Sequence, residues 1–209
     1  YEDADVVAAM KPEGIASIPE RDPARPSVLR ALSERRGERL YVVHRLDKDV
    51  SGVLLFARHA DAHRHLNLEF DARRVRKEYL AVVHGVVVPD AGTVDRPLRI
   101  FGSGRTAVDP VRGKPSRTDY RVLERARAHT LLLVEPRTGR RHQIRAHLYA
   151  IGHPVAGDPR YGDPAANRGI GRLMLHAHRL AVRLPSGADV TIEAPPPASF
   201  VEVWERLRG

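Results

Sequence analysis

Asp47 sits in the stretch Val43-His44-Arg45-Leu46-Asp47-Lys48-Asp49-Val50-Ser51-Gly52-Val53-Leu54-Leu55-Phe56-Ala57, a loop crowded with polar side chains and flanked by two apolar runs. Rigid elements on both sides of a polar loop are where a scaffold presents reactive groups. An ionised carboxylate so placed can act as a covalent nucleophile or as a base. Spacing alone favours a plainer role, because Asp-x-x-x-Ser-Gly loops are ordinary turn chemistry in which the carboxylate bonds its own backbone. His44 offers general-base chemistry or a structural hydrogen bond to the loop.

A second concentration of chemistry is the basic stretch 96–117, with Arg96, Arg99, Arg105, Arg112, Lys114 and Arg117 against the single acid Asp109, and with Gly102, Gly104, Gly113 and prolines 97, 110 and 115 between them. It reads as a long irregular loop, either laid against phosphate backbone or simply solvated. Metal chemistry finds no support. His142 and His147 are five apart and point to different helix faces, no His-Glu-x-x-His pattern occurs, and His176 with His178 lacks a completing carboxylate. Gly102-Ser103-Gly104 lacks the third glycine and the helix of a dinucleotide fingerprint. No metal is expected.

Positioning these residues requires a sheet. Strand-type runs cover residues 5–10, 41–44, 53–57, 79–83, 118–122, 130–135, 180–184 and 189–193. Helical patterns cover 27–34, 61–71, 141–150 and 198–207, the last with Ser199 as its expected cap and the third with Ile144 and Leu148 forming an apolar stripe. On that helix Arg145 falls at the edge of the stripe. The elements alternate without a βαβα rhythm, and the runs around Ser186-Gly187 suggest an antiparallel hairpin. The expected fold is α+β, a mixed, mainly antiparallel sheet flanked by helices and loops, in a single domain spanning 1–209.

Composition narrows the partners. The 209 residues are 42% hydrophobic, enough for a core, and carry 35 Lys and Arg against 26 Asp and Glu, a formal charge of +9. That charge suits a polyanion, although a codon bias toward Arg and Ala would produce it too. No basic amphipathic helix fits a membrane surface, and no apolar run of ~18 residues fits a span. The acidic first residues do not resemble a leader, and the absence of cysteine excludes disulfides and thiolate chemistry. A cytoplasmic monomer with an RNA or DNA partner and no membrane is expected.

The pattern His44-Arg45-Leu46-Asp47-x-x-x-Ser51-Gly52 resembles the signature of the RluA family of pseudouridine synthases. The segments Lys77-Glu78-Tyr79-Leu80-Ala81-Val82-Val83-His84-Gly85 and Arg137-Thr138-Gly139-Arg140-Arg141-His142-Gln143-Ile144-Arg145-Ala146-His147 are similar to its second and third motifs, in order and at matching spacing. Lys11-Pro12-Glu13-Gly14 matches an upstream element. Gly152-His153-Pro154-Val155-Ala156-Gly157-Asp158-x-x-Tyr161-Gly162 and Leu175-His176-Ala177 match downstream ones. Val50 departs from the pattern, where the family most often has a small hydroxyl residue, so a hydrogen bond from that hydroxyl is missing.

The resemblance implies the pseudouridine synthase catalytic fold and isomerisation of uridine in ribosomal or transfer RNA, with no cofactor. It makes Asp47 the nucleophile or proton-abstracting carboxylate, Arg145 the cation that favours its ionised form, and Tyr79 the ring that stacks on uracil. Arg45 becomes the residue that replaces an extruded uridine, against the alternative of a salt bridge to Asp49, and His44 becomes structural. RNA contacts are expected at Arg140, Arg141, Arg105, Arg112 and Lys114. Many relatives carry an N-terminal S4-type RNA-binding domain, and none is expected in these 209 residues. Two other classes compete. One is a catalytically silent RNA-binding protein, against which stands the 5% aromatic content. The other is a glycosidase or nucleosidase, which needs a paired acid that Asp49 fills poorly.

Overall fold

A computed structural model describes residues 1–22 and 24–209. In chain order the elements are β1 Val6–Lys11, α1 Val28–Arg36, β2 Tyr41–Val42, β3 Ser51–Ala57, α2 Ala60–Asp71, β4 Arg76–His84, β5 Ala91–Asp95, β6 Leu98–Ile100, β7 Thr106–Val108, β8 Arg117–Arg125, β9 His129–Pro136, α3 Gln143–Ala150, β10 Leu175–Arg183, β11 Asp189–Glu193 and α4 Ala198–Arg208. The fold is α+β with a mainly antiparallel sheet and helices, as the patterning predicts. Two compact units divide these residues, one of 1–77 with 177–196 and one of 78–176 with 197–209, with boundaries inside β4, inside β10 and just before α4.

In the first unit β3 is buried along its whole length, which is why its sequence is an unbroken apolar run rather than an alternating one. β1 pairs with it antiparallel from Val6 opposite Ala57 to Lys11 opposite Gly52, and β2 also pairs antiparallel with the end of β3, Tyr41 opposite Ala57 and Val42 opposite Phe56. The expected hairpin around Ser186-Gly187 joins β10 to β11, with Leu180 opposite Ile192. Val53, Leu55, Leu66, Val75, Leu180 and Ile192 close one core with α2. The start of α1 is set by Ser27, whose hydroxyl accepts from the Arg30 N–H, and its end by the left-handed Gly37.

The second unit is built on β4, β9, β8 and β5, each antiparallel to the next, with Tyr79 opposite Val134. A bulge at Val122/Glu124 shifts the register between β8 and β9. Two expectations are corrected here. The stretch 96–117 is not an irregular loop: β6 and β7 pair from Leu98 opposite Val108 to Ile100 opposite Thr106, and the Leu98 and Lys114 backbones bond each other in both directions. Ser199 does not cap α4. Pro197 occupies the cap position without a side-chain bond, and the Ser199 hydroxyl accepts from Arg172 at 2.6 Å.

Candidate active site

Asp47 is half-buried, in a turn held by backbone bonds. It opens a tight turn in which its carbonyl accepts from the Val50 N–H at 3.1 Å, with Lys48 and Asp49 at the corners. Immediately before it, buried Leu46 exchanges bonds with the Ser17 hydroxyl, donating its N–H at 3.0 Å and accepting at 2.8 Å. Beyond it, the Lys48 carbonyl accepts from the Lys11 ammonium at 2.7 Å and from the Gly14 N–H at 3.0 Å. Lys11 is only 1% exposed and also donates to the Pro12 carbonyl at 2.8 Å. Lys11, Gly14 and Ser17, all from one stretch, thus clamp the turn, with Asp47 half-buried and Arg45 exposed. Val50, 2% exposed, fills the apolar floor with methyls where a hydroxyl would have needed a partner.

His44 is engaged by the strand that follows it. Its Nε2 accepts from the Leu55 N–H at 3.0 Å, which fixes the Nδ1–H tautomer, and its ring stacks on Phe70 at 5.1 Å. Burial, helped by the Lys77 charge, lowers its pKa to about 3, so the imidazole is neutral with its free lone pair already used. The Arg45–Asp49 salt bridge that competed with an RNA role is absent among the described residues.

In the second unit, Tyr79 is half-buried on β4. Arg145 departs from the sequence expectation of a stripe-edge residue. It is 4% exposed, on a helix whose Gln143, Ile144, Ala146, His147 and Leu148 are buried as well. Its Nε and Nη2 donate to the two oxygens of fully buried Asp158 at 2.6 and 2.7 Å, a bidentate pair. The Asp158 Oδ1 also accepts the N–H groups of Arg160 and Tyr161 at 2.9 and 3.1 Å. The Tyr161 ring lies 5.2 Å under the Arg145 guanidinium and 5.0 Å from that of Arg105, while its hydroxyl accepts from the Thr106 N–H at 3.0 Å. Burial raises the Tyr161 pKa, which keeps the phenol protonated. Arg105 also packs on Tyr149 at 4.9 Å, so it is a positioned cation, unlike exposed Arg112 and Lys114. Arg141 is exposed and Arg140 half-buried.

Lys11, Asp158 and Tyr161 lie in the matching segments, where the sequence assigns them no task. Asp158 is the ion partner of Arg145, and Lys11 ties down the Asp47 turn. The signal was present in the quoted motifs, but the pairing is tertiary and no periodicity announces it.

A family model described as RNA pseudouridylate synthase matches residues 5–150. The chain is 37% identical to ribosomal large subunit pseudouridine synthase D of Nitrosomonas europaea over all of this chain and 64% of that protein. It is also 37% identical to the dual-specificity RNA pseudouridine synthase RluA of Escherichia coli strain K12, over 93% of this chain and 91% of the other. Among solved structures, human RNA pseudouridylate synthase domain containing 1 superposes with a TM-score of 0.81 at 30% identity, covering 94% of this chain and 82% of that one. The fold and the motif order thus define one class of protein, the RNA-modifying isomerases that make pseudouridine. Within that class the chain belongs to the RluA family of pseudouridine synthases. No helix among the described residues is long and apolar enough to cross a membrane.

Proposed function

We propose that this protein isomerises a specific uridine of ribosomal or transfer RNA to pseudouridine, with Asp47 as the carboxylate that starts the reaction. The bond from ribose C1′ to uracil N1 breaks, the base turns, and C1′ joins C5. The proton lost from C5 is balanced by one gained at N1, so no oxidant, reductant or metal enters the balance. Asp47 acts by attack at C1′ or by removing a ribose proton. What carries this reading is the Asp47 turn, whose backbone is clamped by Lys11, Ser17 and Gly14 and in which Asp47 is only half-buried. A fixed backbone position is what an attacking group needs.

The supporting roles follow the family resemblance. Tyr79 stacks on the uracil and assists proton transfer at C5. Arg145 is the cation of the catalytic group. Arg45, exposed and without a partner carboxylate at Asp49, fills the space left by the extruded uridine. Arg140, Arg141, Arg105, Arg112 and Lys114 contact the RNA backbone.

The test is pseudouridine mapping on unmodified ribosomal and transfer RNA transcripts incubated with the protein. Wild type converts one defined uridine, and Asp47→Ala and Asp47→Asn abolish conversion while RNA affinity stays within a few-fold. Conversion that survives either substitution removes Asp47 as the reactive group. Release of free uracil instead of an isomer of unchanged mass assigns the chain to the nucleosidases.

A further inference from the structure

Gly104, at the turn of the β6–β7 hairpin, has φ +74°, and a Cβ built there would lie 3.8 Å from Arg160 Nη1, 3.9 Å from Arg141 Nη1 and 4.0 Å from Arg141 Nη2. The two Nη1 atoms are therefore within about 8 Å of each other, inside one screening length at physiological salt. Arg105 is the next residue along the hairpin. Among the described residues no carboxylate pairs with Arg105, Arg141 or Arg160, whereas other arginines of the chain are held by acids, as at Arg74–Glu69 and Arg137–Asp119. Two cations brought together without a counter-charge repel each other, and an anion between them removes that cost.

The gathering is built rather than incidental. Arg105 is laid on the Tyr149 and Tyr161 rings. Arg160 hangs from a backbone N–H bonded to the same Asp158 that grips Arg145. Arg141 precedes α3, whose first turn receives no side-chain cap. Arg141 and Arg160 are exposed, so both heads are open to a ligand.

We propose that Arg141 and Arg160, meeting at Gly104 with Arg105 beside them, form a subsite for one backbone phosphate of the RNA substrate. This rests on the reading of the protein as an RNA-modifying enzyme, and it adds Arg160, which sequence motifs did not single out. A phosphate fits because its oxygens can accept from both guanidiniums at once. Gly104, which has no Cβ, leaves the space between them open.

The test measures binding of an unmodified RNA transcript, first shown to be a substrate of the wild type, against salt concentration. The double variant Arg141→Gln/Arg160→Gln lowers the magnitude of the slope of log affinity against log salt by about 0.7–0.9, the value of one phosphate contact, and weakens binding roughly tenfold at moderate salt. Arg64→Gln on α2, an exposed arginine paired with Asp61, leaves the slope unchanged. Gly104→Asp provides an independent arm that removes no arginine: its carboxylate reaches both guanidiniums and occupies the subsite from within. Asp and Asn are among the residues that tolerate this left-handed conformation. Gly104→Asp mimics the double variant and adds nothing to it, and Gly104→Asn keeps wild-type slope. An unchanged slope in the double variant, or equal binding by the Asp and Asn variants, overturns the subsite. Neither result touches the enzymatic reading, which stands or falls on whether the wild type makes pseudouridine in that transcript.

Discussion

Gly52 shows why one motif residue cannot be anything else. A Cβ there would lie 2.1 Å from the Ala177 carbonyl oxygen and 2.6 Å from its nitrogen, both main-chain atoms, and the residue has φ +126°. Backbone cannot move aside as a side chain can, so Gly52→Ala combines overpacking of about 1–3 kcal/mol with backbone strain of about 1–3 kcal/mol. A urea unfolding midpoint well below wild type is expected, with loss of pseudouridine formation because Asp47 lies five residues upstream on the strand's entry loop; an unchanged midpoint sinks the explanation. Sequence alone identified Gly52 by resemblance and could not supply this reason, since Ala177 comes from a distant part of the chain. Lys11 carries the same lesson. Its aliphatic stem is buried and its ammonium stitches two carbonyls together, yet by composition it counts only as one more surface cation.

The elements were legible where apolar patterning is strong, as in β3, β9 and the β10–β11 hairpin, and illegible where polar bonds take its place. β6 and β7 are three residues each, lie in an arginine- and glycine-rich stretch, and owe part of their position to the Tyr161 hydroxyl. No local signal reports such a bond. α3 misled in the other direction: a stripe of Ile144 and Leu148 suggests one buried face, whereas Gln143, Arg145 and His147 are buried too because each finds polar partners. Thr118 joins two of them. Its hydroxyl lies 3.0 Å from Gln143 Nε2 and 2.8 Å from His147 Nδ1, and the residue is fully buried. Thr118→Val keeps the shape and strips that partner from two side chains, which costs about 1–3 kcal/mol for a group left unsatisfied. Urea unfolding should show the loss, and Thr118→Ser should recover most of it. A Val variant as stable as wild type means the network around α3 does not support the helix.

At the scale of the whole molecule, histidines make stability depend on pH in one direction. Burial lowers the pKa of His44 to about 3 and also lowers those of His129 and His147. The unfolded chain takes up protons near its ordinary value of about 6.5, protons that the folded chain refuses, so the native state is fully favoured above that value and loses ground as pH falls below it. Each refused proton costs at most about 1.4 kcal/mol per pH unit. Carboxylates act lower down in the same sense. The Arg74 hydrogen bond depresses the Glu69 pKa, and a backbone bond from Arg112 does so for Asp109, so their contributions are complete above the unfolded carboxylate range and vanish as pH falls through the depressed folded values. Protonation also adds charge to a chain already at +9. Unfolding free energies measured by urea should therefore begin to fall below about pH 6.5, before any carboxylate protonates. His44→Gln, which removes one of the refusing groups, should make that first decline shallower by up to one proton's worth. A stability that stays flat from about pH 7 to 5 means His44 is protonated in the folded protein, and with it the neutral Nδ1–H tautomer that keeps His44 out of proton transfer would have to be given up.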